Sequence, residues 1–242
     1  MSGWVDLHCH VVPGIDDGVR TMEEAVTLAR GLFDLGFTRV VATPHVKTAT
    51  WDNRRQTIEP PHLALVEALA GVGPVMEFAA EHWCDDVYWD LLLKGEALRY
   101  PGGKSLLLEF DRLAVPMFVE RRFFEMRAKH GCRPILAHPE RYECAWGSSF
   151  EKLDQLLDAG ALFLVDLTSL AGRHGQKARR AAEDLLEEGM VYSVCSDAHR
   201  PRDLEAVDEG MRSLRRLVGD GEADRLLGDR THRIREGRFD DV

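Results

Sequence analysis

Residues 6–18 read DLHCHVVPGIDDG. The imidazoles of His8 and His10 stand two positions apart, and residues i and i+2 of an extended chain project to the same side. Both can therefore serve one ion. Asp16 and Asp17 follow in a glycine-flanked turn. Alone, this stretch is equally compatible with ordinary histidines and a solvated acidic turn. Repetition downstream changes that. Thr43-Pro44-His45 ends the next apolar segment, Glu81 closes VMEFAAE, and Glu109 follows SLLL. His138 closes RPILAH, and Asp197-Ala198-His199 repeats the i, i+2 spacing after the last apolar run. A carboxylate at the end of an apolar strand is costly to bury unless paired or coordinated. One imidazole or carboxylate after each of several strands is how a β/α barrel assembles a site at the carboxyl ends of its strands.

The rest of the chain alternates strand and helix with short connections. Residues 21–36 have a helical period, with Thr21 and Glu24 spaced as a capping box and Gly36 suited to ending the helix. FTRVVATPH is a strand, residues 46–60 are polar and irregular with Trp51 and an Arg54–Arg55 pair, and PHLALVEALAG is a helix. Strands follow at VMEFAAE, SLLLEF, RPILAHPER, ALFLVDLTS and MVYSVCSDAH, with helices near 116–130, 149–159, 175–189, 203–218 and 221–228. THRIREGRF is a basic C-terminal piece without an evident role. Strands rich in Val, Leu and Ile suit a parallel sheet covered on both faces. The expected fold is α/β: a distorted TIM-like (β/α)7 barrel, with residues 1–242 forming one domain. An open doubly wound sheet is the alternative, but no glycine-rich dinucleotide fingerprint follows the first strand.

The 242 residues, 45% hydrophobic and 30% charged, can bury a core without staples. No apolar run is long enough to span a bilayer, so membrane insertion is not expected. The N-terminus lacks a basic region followed by an apolar stretch, which points to a cytoplasmic protein. The five cysteines include no Cys-x-x-Cys pair, which fits reduced, mostly buried thiols. None is followed six positions on by an arginine, which excludes the cysteine-dependent tyrosine-phosphatase mechanism. A net charge of −10 argues against a nucleic-acid partner. Divalent ions would reverse the charge of the site carboxylates and let an acidic protein attract an anion.

Nitrogen and oxygen ligands without cysteine favour manganese, zinc or iron. Nine ligands are too many for one ion; with a bridging carboxylate they suffice for three. The segments DLHCHVVPGIDDG, ATPH, AAE, LLLEF, ILAHPERY and SDAH resemble the PHP (polymerase and histidinol phosphatase) superfamily over about residues 4–200. Within it they are most similar to bacterial manganese-dependent protein-tyrosine phosphatases of capsular and exopolysaccharide synthesis. The resemblance implies three divalent ions, with manganese the first candidate and iron or zinc the alternatives. It would place His8, His10, Glu81 and Asp197 on one, Glu81, Glu109 and His138 on a second, and Asp17, His45 and His199 on the third. The resemblance, not the spacing, selects Asp17 over Asp16. It also implies a phosphotyrosine protein as partner, a tyrosine kinase of polysaccharide export.

The chemistry expected is phosphomonoester hydrolysis by metal-activated water. Arg141, three residues after His138, is the first candidate to clamp the phosphate oxygens, since a guanidinium fork matches them. Arg202 is the second, with Arg200 as its alternative. No unambiguous general acid is visible; His82 and Asp16 are as readily supports for the ligands. The TSLAGRHG stretch, with Arg173, resembles a family loop but is shorter. Competing readings are a histidinol phosphatase, a phosphodiesterase or nuclease, and a metal-binding module without activity.

Overall fold

The computed structural model describes residues 3–147 and 149–239. In chain order the elements are β1 (Trp4–Asp6), α1 (Met22–Asp34), β2 (Phe37–Ala42), β3 (His45–Val46), α2 (Arg55–Ala68), β4 (Val75–Phe78), β5 (Glu81–Trp83) and α3 (Asp86–Lys94). They continue with β6 (Ser105–Glu109), α4 (Val119–His130), β7 (Arg133–Ala137), α5 (Glu151–Asp158), β8 (Leu162–Asp166), α6 (Leu167–Leu170), α7 (Gln176–Glu187), β9 (Val191–Cys195), α8 (Leu204–Asp224) and α9 (Arg230–Glu236). No helix of the described residues is long and apolar enough to cross a membrane.

All strand pairs are parallel, in two ladders ordered β1-β2-β4 and β3-β5-β6-β7-β8-β9. The α/β class with parallel sheets agrees with the sequence, but the ladders do not form one continuous closed sheet. β3 resumes two residues after β2, and β5 two residues after β4. Backbone bonds carry the pairing across the breaks: Ala79 N–H donates to Ala42 C=O at 2.8 Å and Glu81 N–H to Pro44 C=O at 3.1 Å. On the far side the segment after β1 meets the segment after β9. His10 N–H donates to Ala198 C=O at 3.0 Å and Asp197 N–H to His8 C=O at 2.9 Å.

The strands are buried on both faces, which explains their unbroken apolar sequences. Leu107, Ile135, Ala137, Leu162, Leu164 and Cys195 meet Val5, Leu7 and Val41 in an inner cluster. Their neighbours Leu106, Leu108, Leu136, Phe163 and Val165 pack outward against the helices.

Three local expectations are corrected. Helix α2 begins at Arg55, within the stretch expected to be irregular. Its first turn is self-supporting: Thr57 Oγ1 accepts Arg54 N–H at 2.9 Å, Ile58 N–H donates to Arg54 C=O at 3.1 Å, and Ile58 is fully buried. Pro60 and Pro61 lie inside this helix, not at its start. Helix α3 was not anticipated, because DVYWDLLLK is only nine residues long, although Asp86, Asp90 and Lys94 recur every four residues on its exposed face and Tyr88, Leu91 and Leu92 are buried. Asp85 caps it, its Oδ1 accepting the N–H groups of Val87 and Tyr88 at 2.8 and 3.1 Å. The C-terminal basic piece is helix α9, which seals the end of the strands remote from the ligands. Ile234 enters the inner cluster, and Arg235 grips Glu77 through Nε and Nη2 at 2.5 and 2.7 Å. The break expected between two helices near residue 220 falls at Gly219, whose φ of 79° interrupts α8.

Gly210 lets α8 lie directly on α6. A methyl group there would fall 2.0 Å from the carbonyl oxygen of Leu167. Gly210→Ala is expected to destabilise the fold by about 1–3 kcal/mol as the helices are forced apart. Urea unfolding followed by circular dichroism measures it, and an unchanged midpoint would contradict this packing.

Candidate metal centre

Eight of the nine expected ligands sit at the carboxyl end of a strand, on a short continuation of one, or within a few residues beyond; Asp17 lies in the loop between β1 and α1. Four overlapping groups, each with ligand atoms within 4.8 Å of one another, contain these nine residues and no others among the described residues. They are His8 with His10 and Asp197; His8 with Glu81 and His138; His45 with Glu81 and Glu109; and His10 with Asp17, His45 and His199. The grouping puts His138 beside His8 and Glu109 beside His45, with Glu81 common to both.

The floor of the site is buried and its rim open. His8, His10, His45, Glu81, His138 and Asp197 are buried, Glu109 and His199 half-buried, and Asp17 exposed. Six buried atoms of these residues have no hydrogen-bond partner: His138 Nδ1 and a group of five, His8 Nε2, His10 Nε2, His45 Nδ1, Glu81 Oε2 and Asp197 Oδ1. The five crowd one another all the same. His8 Nε2 is 3.1 Å and His10 Nε2 3.2 Å from Asp197 Oδ1, and His45 Nδ1 is 3.0 Å from both Glu81 Oε2 and Glu109 Oε1. Buried polar atoms that face one another without bonding are costly. A set of N and O donors in this arrangement suits divalent cations, so the residues present fit the metals that the sequence implies.

The opposite edges of the rings are tied down. His8 Nδ1 lies 2.6 Å from Thr43 Oγ1, and His10 Nδ1 lies 2.8 Å from Asp16 Oδ2. Asp16 also accepts the N–H groups of His45 at 3.1 Å and Gly18 at 2.8 Å. Asp17 Oδ1 instead stands 3.4 Å from His45 Nε2 and 3.5 Å from His199 Nε2. The two acids of the turn thus have different roles: Asp16 orients, and Asp17 faces the ligand group. His82 Nε2 accepts Leu98 N–H at 3.2 Å. Burial pushes its ring down to about 4, so it is a neutral structural histidine and no proton donor. Burial also opposes charge on His10, but the Asp16 carboxylate outweighs it and lifts the ring to about 9. An arriving cation must displace that proton, so metal affinity should rise with pH.

Two ligands sit on strained backbone. His138 has φ of 39° and Asp197 φ of 44°, left-handed values that non-glycine residues seldom adopt. The turn ends β7 and β9 abruptly and aims both side chains into the site. Strain of this kind, of order 1–3 kcal/mol per residue, persists where the surroundings over-determine it.

Several supports went unnoticed in the sequence. Asp6, fully buried, accepts Ser196 N–H at 2.9 Å and Ser196 Oγ–H at 2.5 Å, joining β1 to the turn that carries Asp197. Burial raises its carboxyl to about 6. The i, i+2 alternation of His8 and His10, extended back one step, would have placed Asp6 on the same face. Asp166 has no such signal. It ends β8, caps Thr168 N–H at 2.7 Å, and pairs with Arg141 Nη2. Glu140 accepts Ser169 Oγ–H at 2.7 Å and steadies the same turn.

A cavity of about 360 Å³ opens over the ligands. Arg141 reaches it between Asp166 and Asp197, with Nη2 2.5 Å from Asp197 Oδ2 and a buried Nε without a partner. Arg202 is exposed and lines an adjoining cleft. Arg54 and Arg55 line neither; they pair with Asp52 and Glu59. Trp51, Trp83 and Phe110 form an aromatic wall. Trp51 stacks on His45 at 4.7 Å between centroids, 13° from parallel, and Lys47 Nζ lies 3.3 Å from the Trp83 centroid.

Thr43→Val removes the polar partner of His8 Nδ1 and leaves the ring free to turn. It is expected to weaken metal binding by about tenfold or more with the fold intact. Competition against a chelating dye measures this, and an affinity equal to that of the parent would contradict the orienting role.

The chain is also similar to known proteins. The chain is 29% identical over 205 residues to tyrosine-protein phosphatase YwqE of Bacillus subtilis, spanning 81% of this chain and 77% of that protein. It is 27% identical over 197 residues to the putative tyrosine-protein phosphatase CapC of Staphylococcus aureus, spanning 81% and 76%. A crystal structure from work on YwqE and Streptococcus pneumoniae CpsB, described as unique metal-dependent tyrosine phosphatases, superposes with a TM-score of 0.88. That alignment covers 97% of this chain and 95% of the other at 24% identity, a likeness of fold. The family model for capsular polysaccharide synthesis, CpsB/CapC, matches residues 4–235, and the chain belongs to that family.

Proposed function

We propose that this protein is a metal-dependent protein-tyrosine phosphatase. The observation that carries the proposal is the convergence of nine N and O donor residues, with six buried atoms among them lacking a hydrogen-bond partner, beneath a cavity with an aromatic wall. The family and the names of its relatives support the same reading. The two ladders are read as one distorted seven-stranded barrel, in which β2 with β3 and β4 with β5 count as single broken strands. The whole chain is read as one domain.

The ligand groups suit three ions, with manganese the first candidate. His8, His10 and Asp197 would serve one, and Glu81 would be shared between that region and the His45–Glu109 group. Asp17, His45 and His199 would serve the outermost. When bound, such ions supply Lewis acidity, which makes water a nucleophile at neutral pH and offsets phosphate charge. Arg141 then holds a phosphate oxygen through its fork, kept in place by Asp166. Arg202, in the adjoining cleft, is the second candidate for the same phosphate. The wall of Trp51, Trp83 and Phe110 accepts the phenyl ring and shields the reacting bond from water. A phenol leaves with a pKa near 10, so it needs less proton donation than an alkyl alcohol. That fits a site in which His82 is unavailable as an acid.

The biological substrate proposed is the phosphorylated tyrosine segment of a bacterial tyrosine kinase of polysaccharide export. The proposed location is the cytoplasm. Neither nucleic acid nor membrane insertion enters the reading.

The manganese-loaded protein is expected to release phosphate from a phosphotyrosyl peptide, to act weakly on histidinol phosphate, and to stop when a chelator is added. The reverse preference would move it to small-metabolite chemistry. Arg141→Ala should lower kcat/KM for the peptide about 100-fold; a loss of only a few-fold would remove Arg141 from the phosphate. Trp83→Ala should raise KM for aryl phosphates more than for alkyl phosphates, and equal effects on both would contradict the aromatic wall.

A further inference from the structure

Three arginines without a carboxylate partner among the described residues stand together beside the metal cavity of this acidic chain. A second cleft, of about 340 Å³, shares Asp17, Arg112, Arg141, Asp197 and His199 with it as a common wall. Five arginines line the cleft: Arg112, Arg141, Arg173, Arg200 and Arg202. Arg141 is held by Asp166 and Asp197, and Arg173 pairs with Asp203 at 2.6 Å. The other three have no carboxylate partner among the described residues. Arg200 Nη1 donates only to the carbonyl of His199, at 2.8 Å. With a net charge of −10 the chain has carboxylates to spare. Three guanidinium groups left uncompensated in one cleft make a local potential opposite in sign to the whole molecule.

The backbone that carries these groups is fixed. Arg112 C=O accepts Glu143 N–H at 2.7 Å, and Asp111 Oδ1 accepts Leu113 N–H at 2.8 Å, pinning the loop after β6. Asp203 Oδ2 accepts the N–H groups of His199 at 3.0 Å and Arg200 at 2.8 Å, while its Oδ1 holds Arg173. One mostly buried carboxylate thus ties a metal ligand to the arginine rim.

The two cavities divide the chemistry. Trp51, Trp83 and Phe110 line only the metal cavity, and Arg173, Arg200 and Arg202 only the second cleft. A ligand that fills both must carry a phosphorylated ring at one end and a further anion a short distance away. We propose that the second cleft is a subsite for an acidic side chain, Asp or Glu, close to the scissile phosphotyrosine, read by Arg112 and Arg200. The proposal rests on the phosphotyrosyl reading above and extends it from the reacting residue to its neighbours.

The test uses the manganese-loaded full chain and two labelled peptides differing only in Glu or Gln beside a non-hydrolysable phosphotyrosine phosphonate. Fluorescence anisotropy reads affinity, and kcat/KM is measured on the matching phosphotyrosyl peptides. p-Nitrophenyl phosphate, which has no flanking residue, controls for the metal site. The wild type is expected to favour Glu over Gln by about fivefold in both readouts, and added salt should compress the ratio. Arg112→Ala combined with Arg200→Ala should bring the ratio near one. A wild-type ratio near one, or a ratio that survives the double substitution, overturns the subsite. A Glu preference in binding without turnover of any phosphoester supports the subsite and sinks the phosphatase reading.

Discussion

Five imidazoles and four carboxylates are brought to one end of a parallel α/β fold, and six of the nine are buried. Each buried donor must be bonded or face a cation, because an unpaired polar atom away from water costs free energy. That requirement organises the surroundings. Thr43 and Asp16 take the outer nitrogens of His8 and His10, so the inner ones can face only each other and the carboxylates. Asp6 knits the first and last strands where both deliver ligands. Asp166 restrains Arg141 beside Asp197. Even the strain at His138 and Asp197 follows, since a relaxed strand would carry those side chains past the centre.

The two ends of the fold divide stability from chemistry. Helix α9 closes the end remote from the ligands, through Ile234 in the inner cluster and the Arg235–Glu77 pair. The ligand end stays open, lined by loops whose backbone is pinned by side-chain carboxylates. Parallel strands allow this because each one returns through a helix and delivers its carboxyl end to the same side. The two breaks, after β2 and β4, fall just before His45 and Glu81. A break there re-aims the chain and lets both residues reach the centre.

The cluster of nine donors was legible because imidazoles and carboxylates placed after apolar runs are a local signal. Helices with a clear amphipathic period, such as α7 and the capped α1, were legible for the same reason. Helix α3 was not, since its nine residues span too few turns for the period of Asp86, Asp90 and Lys94 to stand out. The start of α2 was obscured by Pro60 and Pro61, which look like a helix entry yet sit inside one whose first turn is bonded independently. Asp6, Glu140 and Asp166 escaped because a buried carboxylate that orients another group has the same sequence context as a strand-end cap.

Taken alone, the sequence determined the parallel α/β class and the candidate donor residues placed after apolar runs, since both rest on short-range pattern. Only the tertiary structure decided which ligands share a centre, with His138 beside His8 and Glu109 beside His45. It also separated Asp16 from Asp17, and brought Arg112, Arg200 and Arg202 to one cleft. These are contacts between segments far apart in the chain, fixed by strand register and backbone turn, and neither is written in the local run of residues.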